Sequence, residues 1–349
     1  MINQKRKAKM ALIGLMLLLL LSIVVSVSVG SADITVLDSL KLLVSKIPII
    51  GQLVEVDHLK STYEVIVWRV RMPRILQAAL VGSNLAIVGC TFQAVFRNPL
   101  ADPSILGVSS GASLGATLGI LSGITLNFLG LGATSILAFI GALLTVVLVY
   151  RVGTLGSRMV VANLLLVGTA VSTLLSSLIS LFMIYNREQL EKVYLWTLGS
   201  FSAANWDKVG FLAIITWTGI VIISLFGKDL NILLTGDEVA ASLGVDTVKV
   251  KKILMLIGSL LVAASVSVSG AIGFVGLIVP QCMRLCIGSD HRLLLPFSVL
   301  GGATFMVICD TLSRTIAQPT EIPVGVITAV FGAPYFIYLL YRQSKNGKV

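Results

Sequence analysis

The sequence predicts an all-α, polytopic membrane protein of about ten transmembrane helices, organised as a single domain over residues 1–349. Three observations carry that prediction. Hydrophobic residues make up 56% of the chain and charged residues 12%, with a mean hydropathy of +0.99, which is too apolar for a soluble domain. Uncharged runs of about 20 residues recur along the chain, the length a helix needs to cross ~30 Å of hydrocarbon. The basic residues behind the net charge of +10 sit at the ends of those runs. That placement suits membrane orientation and argues against nucleic-acid binding, which needs a solvated basic face.

Lys5, Arg6, Lys7 and Lys9 precede an uncharged stretch over residues 10–32. It exceeds the about 7–15 residues of a signal-peptide core, so it reads as a retained first span, although Gly30, Ser31 and Ala32 resemble a cleavage site. Residues 31–71 then form an external segment carrying Asp33, Asp38, Glu55, Asp57 and Glu64. The second span, residues 75–95, opens at Arg71-Met72-Pro73-Arg74. It ends before Arg97-Asn98-Pro99, where Pro99 and Pro103 deny the backbone a continuous helix, so the chain turns and re-enters the membrane at residue 105. The re-entering segment places Gly107, Gly111, Gly115 and Gly119 on one helical face, which lets another helix approach closely.

Spans three to five occupy residues 105–122, 133–150 and 159–184, with Arg151 and Arg158 in the turn before the fifth. Residues 185–208 hold Tyr185, Tyr194, Trp196 and Trp206, aromatics that suit a short external helix at the bilayer interface. Span six covers residues 209–227 and is followed by a segment of mixed charge, residues 228–252. Within it Gly236-Asp237-Glu238-Val239-Ala240-Ala241-Ser242-Leu243-Gly244 reads as a short helix with acids in its first turn and a glycine stop. Spans seven to ten lie at residues 253–269, 274–287, 293–316 and 322–340. Spans two and seven are each followed by a glycine-rich or proline-rich break, which predicts an inverted repeat of spans two to five on seven to ten. On this topology 16 of the 26 Lys and Arg but only 6 of the 16 Asp and Glu lie on one side, so both termini are expected to be cytoplasmic.

Other classes of function fit less well. Gly107-Val108-Ser109-Ser110-Gly111 matches the G-x-S-x-G elbow of hydrolases, but a proline-interrupted loop precedes it where a strand is required. The two histidines, His58 and His291, fall on opposite sides of the membrane, so no base is at hand for a catalytic serine. Cys282 and Cys286 share a helical face without a third metal ligand, and the four cysteines all lie in apolar segments. An ion-coupled transporter would place carboxylates at mid-membrane. Asp310 alone lies well inside a span, and Arg314 four residues on supplies an i,i+4 partner. The chain has no phosphate-binding G-x-x-x-x-G-K-[ST] loop, so energy from ATP would have to come from another subunit.

The run R-x-P-R from Arg71, V-G-x-x-L-A-x-x-G from Val81, and Q-x-x-x-R-N-P-L-A-x-P-x-x-L-G-V-S-x-G-A from Gln93 resembles the permease subunits of ABC importers for ferric siderophores, haem and cobalamin. Residues 196–200, 268–284 and 321–339 extend the resemblance over almost the whole chain. It implies a bacterial cytoplasmic-membrane permease that pairs with a second permease subunit and two cytoplasmic ATPase subunits, and that receives cargo from an extracytoplasmic binding protein. No cofactor is expected on this chain; ATP is used by the partner subunit. By the same resemblance Arg71, Arg74 and Arg314 at the outer mouth would receive acidic residues of the binding protein. Gly236, Asp237, Glu238, Ala240, Ala241, Leu243 and Gly244 would form the helix that couples to the ATPase. Asn98, Pro99, Gly107, Gly111 and Gly115 would serve the pathway or helix packing. Gln281 departs from the family's usual histidine after the proline, and is read as structural. The cargo expected is a metal chelate, an iron siderophore first.

Overall fold

A computed structural model of the chain describes residues 2–30, 34–46, 61–128, 130–154 and 161–345. Ser31, Ala32, Asp33, Glu55, Asp57, His58 and Arg158 lie outside the described residues. Helix α1 is Ile2–Ser28, α2 is Val36–Val44 and α3 is Ser61–Val65, which continues through a π-helical turn, Ile66–Arg71, into α4, Met72–Val95. Then come α5 (Val108–Ser122), α6 (Ala133–Gly153), α7 (Val161–Tyr185), α8 (Leu190–Thr197) and α9 (Trp206–Leu225). The second half holds α10 (Gly227–Leu233), α11 (Asp237–Ser242), α12 (Thr247–Ser269), α13 (Val275–Ile287), α14 (His291–Thr315) and α15 (Val324–Lys345).

Among the described residues eight helices are long and apolar enough to cross a membrane, where ten spans were expected. The other two apolar segments, α5 and α13, have 15 and 13 residues. At 1.5 Å per residue they reach only ~20 Å, short of the ~30 Å hydrocarbon core. Both follow a backbone break of the same kind. The residue before each helix is left-handed, Gly107 at φ 73° and Phe274 at φ 68°. Each half of the chain therefore runs long helix, break, short helix and two long helices, which is the order the repeat predicts.

The helix that holds the second span begins before Arg71. The helix is continuous from Ser61 to Val95, so Pro73 sits inside it and the expected external loop is partly helical. A proline in an α-helix lacks its N–H and collides with the carbonyl four residues back. The π turn takes up the defect, with Met72 N–H reaching five residues back to Val67 O. The interfacial segment is likewise shorter than expected, because Asn205 caps α9 and Trp206 begins it; the Asn205 side chain accepts from Lys208 N–H at 2.8 Å. The 228–252 segment holds the expected short helix and more. It contains α10, α11 and the first turns of α12, with Asp246 capping α12.

Helix α4 is the axis of the bundle. Its apolar window is 83% buried, against 11% for α1 and 17% for α7, so α4 is wrapped by protein while α1 and α7 turn most of their surface outward. Glycine makes the close packing possible. A Cβ on Gly111 would lie 2.5 Å from Gly141 O, and one on Gly115 would lie 2.6 Å from the Leu137 carbonyl carbon, so α5 and α6 pack backbone against backbone along the predicted stripe. Polar side chains join α4 to α12: Gln77 Nε2 donates to Val268 O and Asn84 Nδ2 to Ser265 Oγ, each at 3.0 Å.

Candidate functional site

Two clusters at opposite ends of the bundle hold most of the residues expected to function. At one end the C-terminal turn of α1 leaves carbonyls without intrahelical donors and carries the negative end of the helix dipole. Arg71 Nη1 donates to Val27 O at 2.5 Å and to Ser28 O at 3.1 Å. Arg314 donates through Nη2 to Ser26 O at 3.0 Å and through Nη1 to Val29 O at 3.2 Å. Both arginines thus cap one helix terminus, tying α1 to α4 and α14.

Arg314 also meets Asp310 one turn back on α14, Nε to Oδ2 at 3.2 Å, as the i,i+4 spacing predicts. Asp310 has a second and tighter partner. Arg74 Nε reaches Asp310 Oδ1 at 2.9 Å, and Arg74 Nη1 holds Glu321 at 3.0 and 2.9 Å. The planar guanidinium suits such a double engagement. Arg71, Arg74 and Arg314 are 4%, 6% and 8% exposed, and Asp310 is fully buried. The three arginines expected at an outer mouth are thus buried within the chain. Their charges are spent on the chain's own carboxylates and helix terminus, and Glu321 is the accessible member of the cluster.

At the opposite end lies α11. Gly236 precedes it at φ 114°, and Gly244 closes it at φ 85°, with Val245 N–H donating to Ala240 O and Gly244 N–H to Ala241 O. That pair of bonds is a Schellman stop, for which a left-handed glycine is the favoured residue. Glu238, Val239, Ala241, Leu243 and Gly244 are exposed, Val239 and Leu243 presenting apolar side chains. Ala240 does not belong to that outward face. It is fully buried and seats α11 on the body of the protein. Asp237, half-exposed, accepts from Lys251 Nζ at 2.7 and 2.8 Å, with Arg97 Nη2 at 3.7 Å.

The connection between α4 and α5 joins this end to the short helices. Asn98 Oδ1 accepts from Leu100 N–H at 2.9 Å, which shapes the turn, and Pro99 O accepts from Gln281 Nε2 at 2.9 Å. The Gln281 amide therefore links α13 to this loop. Arg284 Nη2 donates to Gln93 Oε1 at 3.1 Å, a second tie from α13 to α4. Asp102 caps the following 3-10 turn; burial pushes its carboxyl pKa up, opposed by hydrogen bonds from Ser104. That turn, not a strand, precedes Ser109, so the nucleophile elbow is absent. Gly107 starts α5 beside Thr145 and Ser172. The Cys282 thiol donates to Tyr335 Oη at 3.6 Å.

Between the two ends, a hollow of about 450 Å³ opens where the loop after α8, the break before α13 and the start of α15 meet. Thr197, Leu198, Ala271, Gly273, Gly325 and Val326 line it, with no charged side chain among them. Among the described residues, the ion pairs that bring distant helices together join residues that the topology puts on one side: Arg74 with Asp310 and Glu321, and Asp237 with Arg97 and Lys251. Helix α1 ends and α15 begins beside the arginine cluster, so the far ends of both lie on the side of α11. No sequence signal marked the partners of Arg74 or of Asp237, because each pairs outside its own helix.

The FecCD transport family matches residues 18–342. The cobalamin import system permease protein BtuC of Halobacterium salinarum is 43% identical over 280 residues, 80% of this chain and 74% of that one. The hemin transport system permease protein HmuU of Yersinia pestis is 40% identical over 80% of this chain and 84% of its own length. A solved metal-chelate type ABC transporter in an inward-facing conformation superimposes with a TM-score of 0.81 at 32% identity, covering 96% of this chain and 99% of that one.

Proposed function

The chain belongs to the FecCD transport family, as a permease subunit of an ABC importer whose ATPase is a separate subunit, and from that premise we propose how it works and what it carries. Two copies, or this chain and a related one, enclose the pathway at the face bearing the uncharged hollow beside α8 and α15. A binding protein delivers the cargo at the end holding Glu321 and the buried arginines, and two ATPase subunits engage α11 at the other end. The carrying observation is the outward pair Val239 and Leu243 on a helix whose opposite face, Ala240, is locked into the bundle. A rigid helix with an exposed apolar edge is what groove docking requires.

The positive charge bias supports a cytoplasmic location for α11 and both termini, in the cytoplasmic membrane of a bacterial cell. Thiol labelling of introduced cysteines tests this: Glu191→Cys should react in intact cells and Glu238→Cys only after permeabilisation. Labelling of Glu238→Cys from outside would overturn the orientation.

For cargo we propose a bulky metal chelate, an iron siderophore first. A corrinoid is the second reading, favoured by the 43% identity to a permease described for cobalamin. Walls of small, uncharged residues suit a large chelate that must bind weakly enough to be released. Uptake by proteoliposomes holding the whole importer, with cobalamin, hemin and a ferric hydroxamate offered in turn, separates these readings. Uptake of cobalamin alone would remove the siderophore assignment.

A further inference from the structure

The Schellman stop that closes α11 recurs at the end of α4, with a different residue in the left-handed position. Asn98 N–H donates to Gln93 O at 3.0 Å and Arg97 N–H to Ala94 O at 3.1 Å, the same pair of bonds that Val245 and Gly244 make. Gly244 carries the left-handed conformation in one, and Arg97, at φ 50°, carries it in the other. Among the described residues only Arg97 and Phe274 are non-glycine residues with positive φ. A side chain there is strained by the contact of Cβ with the backbone, so an arginine held in this position against local preference points to a use for its side chain.

That side chain lies over the start of α11. Arg97 Nη1 stands 3.6 Å from where a Cβ on Gly236 would be, and Nη2 is 3.7 Å from Asp237 Oδ1. The Asp237 carboxylate is held by two unlike partners. Lys251 is 7% exposed at its side chain and takes both oxygens at hydrogen-bond distance, a bond that a buried ammonium cannot release without leaving a charge unpaired. Arg97 is 44% exposed, stands beyond hydrogen-bond range and is screened by solvent, so its contact breaks readily. The residues just after Arg97 are in turn bonded to α13 through Pro99 O and Gln281.

We propose that Arg97 is a positioning residue that carries motion of α11 to the connection between α4 and α5 and thence to α13, with Asp237 fixed to Lys251 and releasably paired to Arg97. This rests on the reading of α11 as the ATPase contact. A cation placed only to complement the C-terminus of α4 needs neither the left-handed backbone nor the reach to Asp237, and a lysine before the turn would serve it as well.

Glycine at position 97 separates transmission from folding, because it relieves the backbone while deleting the side chain. The importer, permease with its copurified ATPase subunits in lipid, carries Ser104→Cys as a reporter in the exposed part of the connection, with Cys282 and Cys286 replaced by serine. Maleimide labelling is measured without nucleotide and after trapping with MgATP and orthovanadate. With Arg97 present the trapped state should change the labelling rate several-fold. Arg97→Gly should keep or raise the melting temperature, keep ATPase assembly and basal hydrolysis, and lose the nucleotide response, while Arg97→Lys keeps part of it. A full response in Arg97→Gly, or none in the protein with Arg97, overturns the proposal. Leu243→Asp is the control for the underlying reading: ATPase subunits that still copurify with it sink the assignment of α11 and the proposal together, whereas the Arg97→Gly result alone leaves α11 standing.

Discussion

Arg74 and Asp310, 236 positions apart, meet at 2.9 Å inside the bundle and bind α4 to α14 at the end where α1 is also tied down. The pair makes the arginine cluster part of the fold, and its energetics differ between members.

Removing one partner of the buried pair strands the other. Asp310→Ala should cost about 3–5 kcal/mol, seen as a large fall in melting temperature and folded yield in detergent. Arg74→Glu, which sets a third carboxylate beside Asp310 and Glu321, should fail to accumulate. Glu321→Gln touches a side chain 44% exposed and should cost no more than about 1 kcal/mol. Equal losses for Asp310→Ala and Glu321→Gln would contradict this ranking.

Backbone contact between α5 and α6 leaves no room for a side chain. Gly111→Val and Gly115→Val should each destabilise by about 1–3 kcal/mol or more through overpacking, measured by thermal unfolding in detergent. Gly123→Ala is the useful contrast: its position is open, so only its left-handed backbone, φ 62°, opposes the substitution.

The two faces of α11 should respond differently. Leu243→Asp, at a side chain 62% exposed, should leave the melting temperature unchanged and abolish copurification of the ATPase. Ala240→Leu, at a fully buried site, should lower stability by about 1–3 kcal/mol. An Ala240→Leu protein as stable as the parent would mean that α11 is not seated as described.

Asp290 caps α14 and ties it to α10. Partial burial acts to raise its pKa, but hydrogen bonds from Asn231 at 2.7 Å and Arg292 N–H at 3.0 Å, with the nearby positive charges, outweigh burial and hold it below the ordinary carboxylate range. A carboxyl whose pKa is lowered in the folded state adds stability above its unfolded pKa and loses it as pH falls through the folded value. Asp290→Asn should therefore be less stable than the parent at neutral pH, with the difference closing at acid pH. A difference that widens on acidification would reverse the assigned sign.

The long apolar helices, the break after α4 and the glycine stripe of α5 were legible in the sequence. Each depends on local properties: the hydropathy of about 20 adjacent residues, the missing N–H of proline, the missing Cβ of glycine. The i,i+4 pair of Asp310 with Arg314 was legible for the same reason, since helical geometry brings such residues together. Tertiary structure alone fixed the left-handed residues Gly107 and Phe274 that precede the short helices α5 and α13, the second of which the sequence had already bounded at residues 274–287. It alone set Arg74 against Asp310 and Asp237 between Lys251 and Arg97, and so converted expected docking charges into a buried network. Local rules assign a residue to a helix end or an interface, whereas the partner of a buried charge is chosen by which distant helix packs beside it, and that choice minimises unpaired charge over the whole bundle.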